Sequence, residues 1–121
     1  MNTIKLKIGP KELDFSFGLA FMGALLDETD LSIDEIVARM DKNPFRMIPT
    51  IMFQSAKYAL ARKKLDVDFD LEDVIDWIDI SGGLANKNVV KFMQTFTDSL
   101  TKDVPESEEL VASENGESKK K

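Results

Sequence analysis

A chain of 121 residues, 43% hydrophobic and 31% charged, has the length of one domain and enough apolar side chains to bury a core. Its net charge of −6 argues against direct binding of DNA or RNA, which normally requires a concentrated basic face. The chain has no Cys, no His and no apolar stretch of about 20 residues, so we expect no disulfide, no membrane span and a cytoplasmic location.

The N-terminal residues alternate between polar and apolar side chains in two short segments. Residues 3–8 form the first segment, and Gly9-Pro10-Lys11 between the segments is typical of a turn. Asp14 and Ser16 are expected to face outward. The inward face would hold Ile4, Leu6, Ile8, Leu13, Phe15 and Phe17. The sequence thus predicts a β-hairpin, which must pack on helices because an isolated hairpin is marginally stable in water.

Five helices are predicted downstream from helical spacing and capping residues. The first covers about residues 18–28, and the second, about 33–41, begins with a capping box from Ser32 to Glu35. The third starts near Asn43-Pro44, although Pro49 leaves that boundary open. The fourth follows Asp70 and stops at Ser81-Gly82-Gly83, and the last covers about 85–102.

Helical spacing also predicts which side chains are buried. In the first two helices it selects Leu19 and Val37, among others. The apolar set of the third helix is Phe45, Ile48, Met52, Ala56, Ala59 and Leu60.

Residues 103–121 hold many Glu and Ser and few large apolar side chains, so we expect a disordered acidic tail. The predicted fold class is α+β, mainly α. Residues 1–102 would form one domain, an N-terminal β-hairpin packed on about five helices, and residues 103–121 the tail.

The acidic run from Asp66 to Asp73 resembles a calcium-binding loop but departs from it at two positions. Leu71 stands where the loop needs Gly, and Trp77 where it needs a bidentate Glu. We interpret the run as helix capping within a solvated acidic patch. The sequence also lacks a Gly-rich phosphate loop and a Ser-centred nucleophile elbow. We therefore expect a binding protein and not an enzyme, with no catalytic residue, cofactor or metal.

Trp77 and the six Met residues could form an adaptable apolar groove, because thioethers repack readily around different partners. A helical stripe of this kind more often forms an ordinary core, and the sequence does not separate the two. If the groove exists, the predicted partner-binding residues are Phe17, Phe21, Met22, Met47, Met52 and Trp77.

A hairpin of the form IKLKIGPKELDFSFG is followed by the run FGLAFMGALL, by Trp77-Ile78 in an acidic helix, by a glycine stop and by one last helix. This order resembles the tail assembly chaperones of long-tailed bacteriophages of Gram-positive hosts. The likeness covers about residues 3–102 and is strongest in Phe17-Gly18-Leu19 with Phe21 and from Asp70 through Trp77 to Gly83. Pro49 has no counterpart in a family motif.

The resemblance implies a function. In that family a small helical protein coats the tape measure protein in the host cytoplasm, keeps it soluble, helps to recruit tail tube subunits and is not expected in the finished virion. A chaperone of this kind needs no nucleotide and no metal, and self-association is plausible because many copies would line one long partner helix. Members often have a longer form made by ribosomal frameshifting. The ending Ser118-Lys119-Lys120-Lys121 fits such a site and equally fits a charged solubilising tail.

Two other functions stay open on the sequence. An acidic regulatory or inhibitory protein could mimic nucleic acid and bind a host enzyme, provided that its carboxylates share one face. An enzyme using only Asp or Glu would need a pocket with perturbed carboxylates.

Overall fold

The computed structural model describes the backbone of residues 3–103 and the side chains of residues 3–100. It confirms the predicted fold class, because an antiparallel two-stranded hairpin precedes five helices. The elements are β1 (Thr3–Ile8), β2 (Lys11–Ser16), α1 (Leu19–Thr29), α2 (Ile33–Lys42), α3 (Pro44–Arg62), α4 (Leu71–Ile80) and α5 (Lys87–Asp103). Residues 104–121, where the disordered tail was expected, lie outside the described residues.

The hairpin has one buried face, as its alternation predicts. The register pairs Ile4 with Phe15 and Leu6 with Leu13, so these side chains share a face, and β2 lies against α3. Ser16 is an exception to the predicted pattern because it is buried. Its carbonyl oxygen accepts a 2.9 Å hydrogen bond from the Ser55 hydroxyl of α3, and this bond satisfies a polar group in the core.

Five phenylalanines form the centre of the core. The ring centroid of Phe92 lies 4.9 Å from that of Phe15 and 5.2 Å from that of Phe17. Phe21 extends the cluster to Phe96 at 6.1 Å. The cluster joins the last helix to the hairpin and to α1. A polar contact adds to this connection, since the Asn88 side-chain amide of α5 donates to the Lys7 carbonyl oxygen of β1 at 2.8 Å.

Helix α3 is the central helix and contacts β2, α1, α2 and α4. It begins at Pro44 and continues through Pro49, which is buried inside it. Because several elements cover it, α3 buries more than one face, including Met47, Ile51 and Ser55, which the single-stripe pattern did not select.

Three side chains that helical spacing placed in the core of the first three helices are exposed instead. Phe45 in the first turn of α3 is 76% exposed, and Leu19 at the start of α1 is 71% exposed. Val37 of α2 is also exposed. Phe45 and Leu19 belong to the first turns of their helices. Val37 lies on α2, a helix in which only Ile36 is fully buried. Helical spacing gives the face of a helix, but not how far the neighbouring elements cover it.

Candidate partner-binding surface

Five of the six predicted partner-binding residues lie in the core. Phe17, Phe21, Met22, Met47 and Met52 are all buried. Their side chains fill the space enclosed by the hairpin and the helices, and of the five Met47 also lines a small open hollow beside Arg39 and Arg46. These five side chains are therefore core residues in this structure. Contact between any of them and a partner stays a prediction.

Trp77, the sixth residue, is half-buried at the boundary of the core. Its ring centroid lies 5.3 Å from that of Phe69, and the Lys11 ammonium lies 5.8 Å from the ring centroid. Lys11 and Phe69 thus cover part of the Trp77 indole ring. The surroundings of Trp77 suit a structural contact between the hairpin and α4 rather than an open apolar anchor.

A different set of side chains forms an exposed apolar groove between α3, α4, the α4–α5 connection and α5. It consists of two adjoining hollows that share Leu84. The first, of about 180 Å³, is lined by Phe45, Pro49, Ile75, Ile78, Asp79, Gly83 and Leu84. The second, of about 400 Å³, is lined by Ile48, Leu84, Val90, Met93, Gln94, Thr97 and Asp98. We call these two hollows together the apolar groove.

The walls of the apolar groove follow from helical spacing. Phe45, Ile48 and Pro49 are three and four residues apart and therefore share a face of α3. On α5, Val90, Met93, Gln94 and Thr97 repeat with the same spacing. Two apolar helix faces thus meet with only partial cover from the rest of the protein.

Two glycines place Leu84 in the groove. Gly82 and Gly83 have φ angles of +105° and +90°, which residues with a Cβ rarely adopt. The Gly83 N–H donates to the Ile78 carbonyl oxygen at 2.8 Å and ends α4. The chain can therefore turn sharply and present Leu84 to both hollows.

The charges around the apolar groove are unevenly placed. Asp79 lines the first hollow and Asp98 the second. Lys87 and Lys91 are exposed on α5, three residues before Val90 and Gln94 respectively, and so lie beside the second hollow. The groove therefore has an apolar floor, with acidic and basic groups at different parts of its rim.

The acidic run after α3 is a helix cap, as interpreted from the sequence. The Asp70 carboxylate accepts from the Asp73 N–H at 3.0 Å, and the Asp73 carboxylate accepts from the Asp70 N–H at 3.0 Å. This capping box starts α4. Among the side chains of residues 3–100, no group of three or more His, Cys, Asp or Glu could hold a metal ion.

Two carboxyl groups have lowered pKa values, each with a structural cause. The hydrogen bond from the Lys63 ammonium lowers the pKa of Asp14; burial opposes this effect, and Lys5, 3.3 Å from the carboxylate, adds to it. The pKa of Glu35 is lowered because its carboxylate accepts the Ser32 N–H in the capping box of α2. Both groups are therefore ionised at neutral pH and hold structural contacts.

Sequence patterns did not single out the groove residues, because Leu84, Val90 and Ile48 come from three separate segments. The best local signal was the Gly82-Gly83 pair followed by an apolar residue.

None of the helices in the described part of the chain is long and apolar enough to span a membrane. A scan against family models and searches of curated proteins and solved structures found no match to the chain. The groove is therefore interpreted from its own geometry.

Proposed function

We propose that this protein is a phage tail assembly chaperone that binds the tape measure protein through the apolar groove. The observation that carries the proposal is the groove itself, because Phe45, Ile48, Leu84, Val90 and Met93 form one partly exposed apolar surface. Continuous exposed apolar surfaces mark interaction sites. A groove between two helices suits the apolar face of a third helix, which would insert side chains spaced three and four residues apart.

The size of the hollows supports binding of large apolar side chains. At about 180 and 400 Å³, each exceeds the roughly 30 Å³ that one water molecule occupies in the liquid. Both hollows are therefore larger than the space one water molecule needs, and both are open to solvent. The net charge of −6 would keep a complex with an aggregation-prone apolar helix in solution.

The resemblance to tail assembly chaperones supports the identity of the partner. A tape measure protein is a long helix that exposes apolar surface before the tail assembles around it, so it needs cover in the host cytoplasm. Many copies of a small chaperone along one helix would lie next to one another, so the proposal includes self-association and recruitment of tail tube subunits. Such a protein acts by binding alone, with no catalytic residue, cofactor or metal.

The test is co-expression with the largest helix-rich protein encoded just downstream, followed by size-exclusion chromatography of the soluble fraction. We expect the wild-type chain to co-elute with that protein. The Phe45→Asp variant should no longer co-elute with it. Leu19→Asp is a matched control, because Leu19 is 71% exposed against 76% for Phe45 and does not line the groove. Both variants should keep the wild-type unfolding midpoint, since both side chains are exposed.

Two results would count against the proposal. If nothing co-elutes with the wild-type chain and the downstream protein stays insoluble, the chaperone function loses its main support. If the Phe45→Asp variant co-elutes as well as the Leu19→Asp control, a partner is bound but not through the apolar groove.

A second candidate, an acidic inhibitor that mimics nucleic acid, is favoured by one face of α4. Glu72, Asp76 and Asp79 are exposed at a spacing of four and three residues, and residues 65–86 contain no Lys or Arg. The acidic face is narrow, however, because Lys11 lies over the Trp77 ring and Arg46 lies 4.0 Å from Glu72. This candidate predicts inhibition of host transcription or DNA cleavage in vitro that Glu72→Lys with Asp76→Lys abolishes and Phe45→Asp leaves unchanged.

A further inference from the structure

We propose that the free protein forms a two-fold symmetric dimer in which the apolar groove of one copy covers the apolar groove of the other. The consequence that this dimer competes with the tape measure helix rests on the proposed function. The contact itself is argued from the two hollows, the exposed Phe45 side chain and the charges on the rim of the groove.

One surface of the protein supplies both an apolar anchor and a hollow that can receive it. Phe45 is 76% exposed, although its side chain forms a wall of the first hollow. Leu84 is shared by both hollows, so a two-fold axis near Leu84 places the first hollow of each copy opposite the second hollow of the other. The Phe45 ring then faces a hollow of about 400 Å³ whose walls include Ile48 and Met93. An isologous interface requires this kind of self-complementary surface.

The charges on the rim are complementary under the same rotation. Asp79 lines the first hollow, and the exposed Lys87 and Lys91 lie beside the second. The rotation therefore brings Asp79 of each copy to the lysines of the other copy, so that the attraction occurs twice in the dimer. Asp98 also lines the second hollow, about 10 Å further along α5 than Lys91. The lysine end of that hollow is thus the end that attracts a carboxylate.

Within a single copy, Asp79 and Lys87 are placed unfavourably. Asp79 lies in the last turn of α4, where the helix dipole is negative, and Lys87 is the first residue of α5, where the dipole is positive. Among the described side chains, Asp79, Lys87 and Lys91 have no ion-pair partner. The stability of one copy gives no reason for this placement, whereas the dimer pairs these charges with one another.

The two remaining large hollows of the described chain lack this combination. The hollow of about 350 Å³ beside the hairpin has charges of both signs, but Lys5 already pairs with Asp14 of the same copy. The hollow of about 220 Å³ carries Arg39 and Arg46 and no carboxylate, so its charges would repel those of an identical hollow. The apolar groove is therefore the surface that best fits a second copy of itself.

The dimer is expected to be weak. An interface confined to one groove belongs with the small interfaces, which bury less than about 1,200 Å² and are transient. Each copy also carries a net charge of −6, but this overall repulsion is screened beyond about 8 Å at physiological ionic strength. We expect a dimer Kd on the order of 10–100 µM.

Such a dimer would regulate access to the groove through concentration. At a total concentration ten times the dimer Kd, about one chain in five is monomeric. The apparent affinity for the tape measure helix is then lowered about fivefold, because only the monomer has an open groove. The dimer would cover the apolar surface until the partner helix displaces it.

Sedimentation equilibrium of the full chain alone tests the contact. Over about 10–500 µM, the average mass of the wild-type protein should rise from 13.6 kDa toward twice that value. Asp79→Lys should raise the dimer Kd at least about tenfold, because like charges then meet across the interface. Lys87→Asp with Lys91→Asp should do the same. An equimolar mixture of the two variants should regain a Kd within about threefold of the wild-type value, since opposite charges meet at both contacts of the mixed dimer.

The variants also separate loss of the contact from loss of the fold. Asp79→Lys and Lys87→Asp each bring a helix end into agreement with its dipole, so neither should lower the unfolding midpoint. Phe45→Asp should abolish the dimer because it removes the anchor. Leu19→Asp, at a similarly exposed side chain outside the groove, should leave the dimer Kd unchanged.

Three results would overturn the proposal. The first is a wild-type mass that stays at 13.6 kDa over the whole concentration range. The second is a Phe45→Asp variant that dimerises as the wild type does. The third is a mixture of the two charge variants that stays monomeric, because the acidic and basic parts of the rim would then not face each other.

The experiment contains no tape measure protein, so its failure leaves the proposed function standing. Conversely, a chain that binds no tape measure protein can still form the dimer. If both hold, adding the tape measure protein to the wild-type chain should dissociate the dimer, and the species of twice 13.6 kDa should disappear as the complex forms. A dimer that persists unchanged beside the complex would show that the two do not share the groove.

Discussion

The turn of the hairpin lies against the backbone of α4, and Gly9 permits this approach. Gly9 has a φ of +62°, and a Cβ at this position would lie 2.6 Å from the carbonyl oxygen of Trp77. We expect Gly9→Ala to lower the free energy of unfolding by about 2–5 kcal/mol. About 1–2 kcal/mol comes from a side chain in the left-handed region, and about 1–3 kcal/mol from displacing a packed helix backbone.

Urea unfolding followed by Trp77 fluorescence measures this loss, because Trp77 is the single Trp and lies at the contact. Gly82→Ala is the first control. Gly82 has a φ of +105°, and a Cβ added there would have no atom within 4 Å, so this variant measures the cost of backbone strain alone. Gly18→Ala is the second control. Gly18 has a φ of −76° and open space around an added Cβ, so the free energy of unfolding of this variant should stay within about 0.5 kcal/mol of the wild-type value. If Gly9→Ala destabilises the protein by no more than the cost of the left-handed backbone, about 1–2 kcal/mol, the close approach to α4 contributes nothing and the reasoning is wrong.

Three further predictions concern the ion pair, the core and a helix cap. Asp14→Asn should lower the free energy of unfolding by about 0.5–1 kcal/mol at pH 7. Since the folded pKa of Asp14 is below 3.8, this contribution is present above pH 3.8 and lost as pH falls through the folded pKa, so the difference in urea unfolding between the two chains should shrink as the pH is lowered below 3.8. Phe92→Ala should cost about 3–5 kcal/mol in the same assay, because Phe92 is fully buried against two other rings. Ser32→Ala removes the cap of α2 and should cost about 1 kcal/mol, with a matching loss of thermal midpoint by circular dichroism.

The positions of the helices and strands were predictable because their signals are local. Ser32 and Glu35 are three residues apart and satisfy each other's backbone groups whatever the rest of the fold does. The same holds for the cap at Asp70, although its partner Asp73 was not foreseen from the sequence. The alternation of the hairpin and the glycine stop after α4 likewise depend on neighbouring residues only.

Burial on α3 and the location of the groove could not be predicted in this way. Which face of α3 is covered depends on four other elements, and small or polar residues such as Ser55 become buried without any apolar signal. Met52 and Phe45 both fit a helical stripe, yet one is fully buried and the other is 76% exposed. A large apolar side chain gives the same sequence signal in the core and in a binding surface, so five of the six nominated residues lie in the core and Trp77 lies at its boundary.

The hairpin positions the groove without lining it. Lys7 of β1 accepts the Asn88 amide at the start of α5, and Gly9 lies against Trp77 in α4. These two contacts hold both ends of the segment from Trp77 to Asn88, and Leu84, which both hollows share, lies between them. A change at the hairpin turn that leaves the protein folded should therefore alter partner binding through the position of Leu84. The apolar groove thus depends on residues about 80 positions apart in the chain, and this explains why no local pattern indicated it.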